Sequence, residues 1–132
     1  MNLKIAEMVL ANISRQEIDH LRQLNTTMRS HHYGPRYEQY SYFINLNAEF
    51  HNHIILATRN DLIIEMYRTL NYGPQVGRFH ESRGVSDINQ LCDEHDEIIN
   101  TLESGDVQMY RQRSRDHIIL GFDRQITYSA NH

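Results

Sequence analysis

Residues 36–58, RYEQYSYFINLNAEFHNHIILAT, decide the fold of this chain. Tyr40, Phe43, Ile44, Leu46, Phe50, Ile54 and Ala57 recur at steps of three and four. That spacing lines one face of an α-helix, whereas a β-strand sends alternate residues to opposite faces. Asn47 and His51 are four apart, so their side chains stand one above the other on the helix surface and can reach a common ion.

The same period extends outward in both directions. Before it, residues 2–11 carry Leu3, Ile5, Ala6, Val9 and Leu10, and Ser14 followed by Glu17 forms a capping box that starts a second helix. Ile18, Leu21, Leu24 and Met28 give that helix an apolar stripe to about residue 30, where Tyr33-Gly34-Pro35 breaks it. After Asn60, a helix over 61–71 carries Leu62, Ile63, Met66 and Leu70 and stops at Gly73-Pro74. The stretch from Gln75 to Val85 admits one more short helix, bounded by Gly84.

Ser86 or Asp87 then opens a helix to about residue 103 with Ile88, Leu91, His95, Ile98, Ile99 and Leu102. Gly105-Asp106 is a junction, because glycine suits the left-handed position after a helix and aspartate caps the next. The last helix, about 107–128, carries Val107, Tyr110, His117, Leu120 and Phe122. No strand pattern competes with these assignments. The expectation is an all-α fold, an antiparallel bundle of six to seven helices with short connections.

Composition narrows the function classes. At 132 residues the chain has room for one domain, spanning 1–132, and not for two ordinary ones. The apolar fraction of 39% and the mean hydropathy of -0.65 are low, so part of the interior is expected to be polar. The net charge is -4 with acidic and basic residues intermixed, which lacks the basic footprint of a nucleic-acid binder; direct DNA binding by this chain alone is not expected.

Glu7 interrupts the first apolar run, so no secretion signal is expected, and no apolar stretch approaches the about 20 residues that span a bilayer. These features predict a cytoplasmic protein without a membrane partner. The single cysteine, Cys92, cannot form an internal disulfide; at helical spacing from Ile88 and Ile99 it reads as a packed small hydrophobe.

Nine histidines are many for this length, and three of them matter most. His51, His95 and His117 each border the apolar stripe of a different helix, and neutral imidazole is the commonest side-chain ligand for zinc and related ions. Facing helices of a bundle are a recurrent place to build such a site. The same spacing also suits histidines that are merely polar core residues of a metal-free interaction domain. His31, His32 and His132 fall near helix ends or the terminus, and His20, His53 and His80 have no partner at ligand spacing.

Three separated motifs occur in order: Asn47-Ala48-Glu49-Phe50-His51 with Ile54, Ala57 and Asn60; Glu94-His95-Asp96-Glu97-Ile98 leading to Gly105-Asp106; and Arg115-Asp116-His117. Over roughly residues 3–120 this resembles the effector-binding FCD domain of the FadR subfamily of GntR-type transcription regulators. The resemblance implies a divalent metal ion, zinc first and nickel or iron next, held by Asn47, His51, His95 and His117. It further implies a small organic acid as effector, closing open coordination positions through its carboxylate, and a homodimer.

Arg113, one turn before His117, is the first candidate to grip a second carboxylate, and Arg78 the second. Tyr40, Tyr67 and Tyr110 are candidates to line the pocket. The winged helix-turn-helix that such regulators carry is not found in these residues, so the chain is expected to act as the sensing and dimerising part. The competing class is a metal-dependent enzyme acting on a small organic acid on the same bundle. It would need a general base, and Glu49, Glu94 and Asp96 all diverge from their neighbouring histidines on the helix surface.

The chain departs from the family pattern at Asn47, where the family commonly has aspartate. An amide keeps an oxygen ligand and removes a negative charge, which weakens retention of a cation and strengthens its attraction for an anion. Asn47→Asp is expected to tighten metal binding and loosen the acid effector. Unchanged metal affinity by isothermal titration would refute this account of the position.

Overall fold

The computed structural model describes residues 2–31, 40–69 and 88–117, and for Tyr40 the backbone alone. These residues form six helical segments and no strand, in keeping with an all-α helical bundle. In chain order they are α1 (Leu3–Asn12), α2 (Arg15–Ser30), α3 (Tyr40–Leu56), α4 (61–69), α5 (Ile88–Ser104) and α6 (107–117). The expected breaks at Tyr33-Gly34-Pro35 and Gly73-Pro74, the short helix over 75–85, the cap at Ser86 or Asp87, and the end of the last helix all lie outside the described residues.

Local chemistry sets the boundaries. Asn2 caps α1 by accepting from the Lys4 amide at 2.8 Å. Ser14 and Glu17 form the capping box: the Glu17 amide donates to Ser14 Oγ at 3.1 Å, and the Ser14 amide to Glu17 Oε1 at 3.0 Å. Two of the donors orphaned at a helix start are satisfied in this way. Asn60 caps α4 through the Ile63 amide, at 3.1 Å. Gly105 takes φ +73° after α5, and Asp106 accepts from the Met109 amide at 3.0 Å to start α6.

α2 is the central helix, packed against α3 and α5. Its polar edge shows the direction of each contact. Arg22, midway along it, meets Glu103 at the end of α5, while Arg29 near its end meets Asp93, closer to the start of α5. Against α3, Glu17 meets Arg59 just beyond the helix end, and His31 lies by Tyr42 near its start. α2 therefore runs antiparallel to both. The Arg113–Glu97 and His117–Glu94 pairs show α6 antiparallel to α5.

The core forms where the apolar stripes meet. Ile18, Leu21, Leu24 and Met28 of α2 are buried with Phe43, Phe50 and Ile54 of α3, Leu91, Ile98, Ile99 and Leu102 of α5, and Tyr110 of α6. Cys92 joins them, and burial pushes its thiol up to about 11, which keeps it protonated and unreactive. α4 departs from the expected pattern: Leu62 is 70% and Met66 53% exposed, so these residues do not face the described core. Among the described residues no helix is long and apolar enough to cross a membrane.

Arg59 holds the turn after α3 in the left-handed region, at φ 55°, a costly position for a residue with a side chain. Its guanidinium is anchored on the carboxylate of Glu17 by contacts of 2.6 and 3.1 Å, and this pairing draws the Glu17 carboxyl from 4.5 down to about 2. A carboxyl depressed on folding contributes stability above its unfolded value and loses it as the pH falls toward its folded value. Glu17→Gln keeps the capping-box acceptor and removes the charge. The variant is expected to lose a small part of the stability at neutral pH, and its denaturation midpoint should fall less steeply than the parent's between pH 4.5 and about 2.

Candidate metal centre

Three helices deliver one imidazole each to a common point. α3 supplies His51, α5 His95 and α6 His117, and one ring nitrogen from each lies within 4.8 Å of the other two. The Nε2 atoms of His51 and His117 are 3.4 Å apart, their rings stacked at 5.2 Å between centroids. His95 meets both edge-on, at 5.3 Å from His51 and 4.9 Å from His117. His95 is fully buried and His117 9% exposed. Burial, aided by the neighbouring His117, lowers the His51 pKa to about 3, so His51 is a neutral imidazole able to offer a lone pair.

Hydrophobic and polar supports fix the rings. Phe50, adjacent to His51 on α3 and fully buried, stacks on His95 at 4.1 Å with 15° between the planes. On α5, Glu94 diverges from its neighbour His95 and instead meets His117 across the helix pair, Oε1 lying 2.7 Å from Nδ1. A carboxylate accepting from Nδ1–H orients the ring and leaves Nε2 as the ligand atom, a common arrangement behind metal-binding histidines. Asn25 of α2, 2% exposed, places Oδ1 at 3.1 Å from His95 Nδ1.

These supports modify the electrostatic expectation. Three imidazoles and an amide carry no charge of their own, yet Glu94 brings a carboxylate to the back of His117, so an ion's charge would be met in part from one residue further out.

The donor set fits a divalent ion of the zinc class. Two zinc–nitrogen bonds of about 2.0–2.1 Å at a tetrahedral angle put their nitrogens about 3.3 Å apart, close to the 3.4 Å between His51 and His117. Asn47, the fourth candidate, lies one turn before His51, and its Oδ1 is buried with no hydrogen-bond partner among the described residues. A buried carbonyl oxygen in that condition is costly unless something accepts its lone pairs.

Of the other candidates, Arg113 has its Nε 3.6 Å from Glu97 Oε2, both side chains partly exposed, and Arg78 lies outside the described residues. Tyr110 is fully buried, which raises the pKa of its phenol, and Tyr67 is half-buried.

Two features escaped the sequence. Asn25 falls four residues after Leu21 and three before Met28, at an inward position of the α2 stripe, and a polar residue there was the available signal. His20 and His53 come together from α2 and α3, ring centroids 4.6 Å apart, a pairing that no spacing within one helix reveals.

The model of the FCD domain family matches residues 1–120 of the chain. No curated protein matches. No solved structure matches either.

Phe50 couples the core to the site through its stack on His95. Phe50→Ala removes a fully buried ring and is expected to cost about 3–5 kcal/mol of stability by denaturant unfolding. A loss below about 1 kcal/mol would mean that the ring is not packed as described.

Proposed function

The chain belongs to the FCD domain family, and on that premise we propose that it is a metal-dependent sensor of small carboxylic acids and the dimerising part of a GntR/FadR-type transcription regulator. FCD domains are the effector-binding domains of such regulators, and they bind small molecules. The single domain 1–132 then acts in the cytoplasm and does not itself contact DNA. The observation that carries the reading is the convergence of His51, His95 and His117 from three helices, with their nitrogens within 4.8 Å of one another in a largely buried setting.

His51, His95 and His117 would hold the ion, with Asn47 Oδ1 as the fourth, neutral ligand. Bound there, a divalent ion, zinc first and nickel or iron next, supplies Lewis-acid coordination for a carboxylate oxygen. The chain's own residues do the rest. Glu94 holds His117 with Nε2 inward, Phe50 fixes the plane of His95, and the neutral shell leaves attraction for an anion in place.

Arg113, one turn from His117, would offer a bidentate grip to a second carboxylate by exchanging its long contact with Glu97, and Arg78 is the other candidate. The exposed apolar side chains of α4, Leu62 and Met66, support association with a second copy.

Such binding would act on regulation through mass action. A ligand held between helices α3, α5 and α6 stabilises the arrangement that presents it, and any surface those helices shape changes population accordingly.

Titration of chelator-treated protein is expected to show one zinc per chain, lost in His51→Ala and His117→Ala. A panel of mono- and dicarboxylic acids should then raise the melting temperature of the loaded protein, leave the metal-free protein unmoved, and emerge chemically unchanged. No zinc uptake would overturn the metal-dependent reading, and turnover of an acid would replace the sensor by an enzyme.

A further inference from the structure

Asn25 makes three contacts that together leave its amide one orientation. Nδ2 lies 2.9 Å from the carbonyl oxygen of Cys92 and 2.7 Å from Asp96 Oδ1, and Oδ1 lies 3.1 Å from His95 Nδ1. A carbonyl and a carboxylate only accept hydrogen bonds, so the group facing them must be the NH2. Turning the amide over would set its oxygen against two other oxygens. Asp96 is held in turn: Arg29 Nη2 lies 2.9 Å from its second oxygen, Oδ2.

The consequence passes to the histidine. With NH2 committed to Cys92 and Asp96, Asn25 can present only an acceptor to His95, so His95 Nδ1 carries the hydrogen. A neutral imidazole has one protonated and one bare nitrogen, and the lone pair of His95 is therefore on Nε2. We propose that Asn25 is a positioning residue that selects the Nε2-ligating tautomer of His95, with Arg29 and Asp96 as the arm that aims it.

This inference rests on the metal-centre reading above, since the tautomer matters functionally only if Nε2 is a ligand. It assigns to α2, which supplies none of the three histidines, a part in the site. His117 takes its orientation from a carboxylate on α5 and His95 takes its own from an amide on α2, so the metal centre is referenced to the central helix of the bundle. An amide in this place orients the ring without adding a charge behind it.

The test uses the full chain labelled with nitrogen-15 at histidine and stripped of metal. Long-range proton–nitrogen correlation spectra are expected to show His95 with Nδ1 protonated and Nε2 bare. Asn25→Leu removes the acceptor; both tautomers should appear, and the zinc dissociation constant should rise by about 10- to 100-fold. Asn25→Asp keeps an acceptor for Nδ1–H while losing both donor contacts and facing Asp96. That variant should melt lower than the parent yet retain the tautomer and bind zinc at least as tightly as the parent, since it places a carboxylate behind the ring.

A proton on Nε2 in the parent protein would overturn the proposal, as would an Asn25→Leu variant with unchanged tautomer and affinity. Zinc affinities that follow melting temperature across the two variants would overturn it as well, by reducing Asn25 to a helix cross-link. If Asn25→Leu does not fold, the spectra of the parent and of Asn25→Asp decide the matter. If the parent takes up no zinc, the metal-centre reading fails while the tautomer measurement still judges Asn25.

Discussion

Burying three imidazoles at one point inside a helical bundle is the constraint on which the rest of this structure depends. Each ring has two nitrogens that must be satisfied or left costly, and three rings together cannot satisfy one another with donors alone. The bundle answers from outside the cluster: Glu94 takes Nδ1 of His117, Asn25 takes Nδ1 of His95, and one nitrogen from each of the three rings is gathered within 4.8 Å of the others. Side chains that would be a liability singly become a donor set that could hold a metal ion.

The proposed preference for an anion would follow from where the charge sits. Imidazole and amide ligands bring no negative charge inward, and the carboxylate stands one hydrogen bond further out, behind His117. A cation held by such a shell would keep much of its field, in keeping with the proposed recognition of an organic anion. The helices α3, α5 and α6 that would share the ion are also packed elements of the core, with Phe50 bridging the two. Occupancy of the site and the stability of the bundle would therefore be coupled through direct contacts, as the proposed sensor role requires.

The polar edge of α2 explains why this geometry is held in register. Arg22 and Arg29 fix α2 against α5 at two points along its length, while the Glu17–Arg59 pair ties its start to the end of α3. Exposed ion pairs add little stability each. Their value here is in specifying one sliding position of α2, and Asn25 reaches His95 only at that position.

The sequence by itself determined the described helices, their order, the three histidines and the family, because these depend on local periodicity, capping chemistry and ordered motifs. The Ser14–Glu17 box and the Gly105-Asp106 junction were legible because each is closed within a few residues. Even Glu94 was visible as part of a motif, though its partner was not. What only the tertiary structure decided is which side chain meets which across helices. His117 and Glu94 are 23 residues apart, and His95 and Asn25 are 70 apart. The same limit explains Leu62 and Met66, whose helical spacing resembled a buried stripe while the described core lies elsewhere. A helix period states which residues share a face, and only packing states what that face meets.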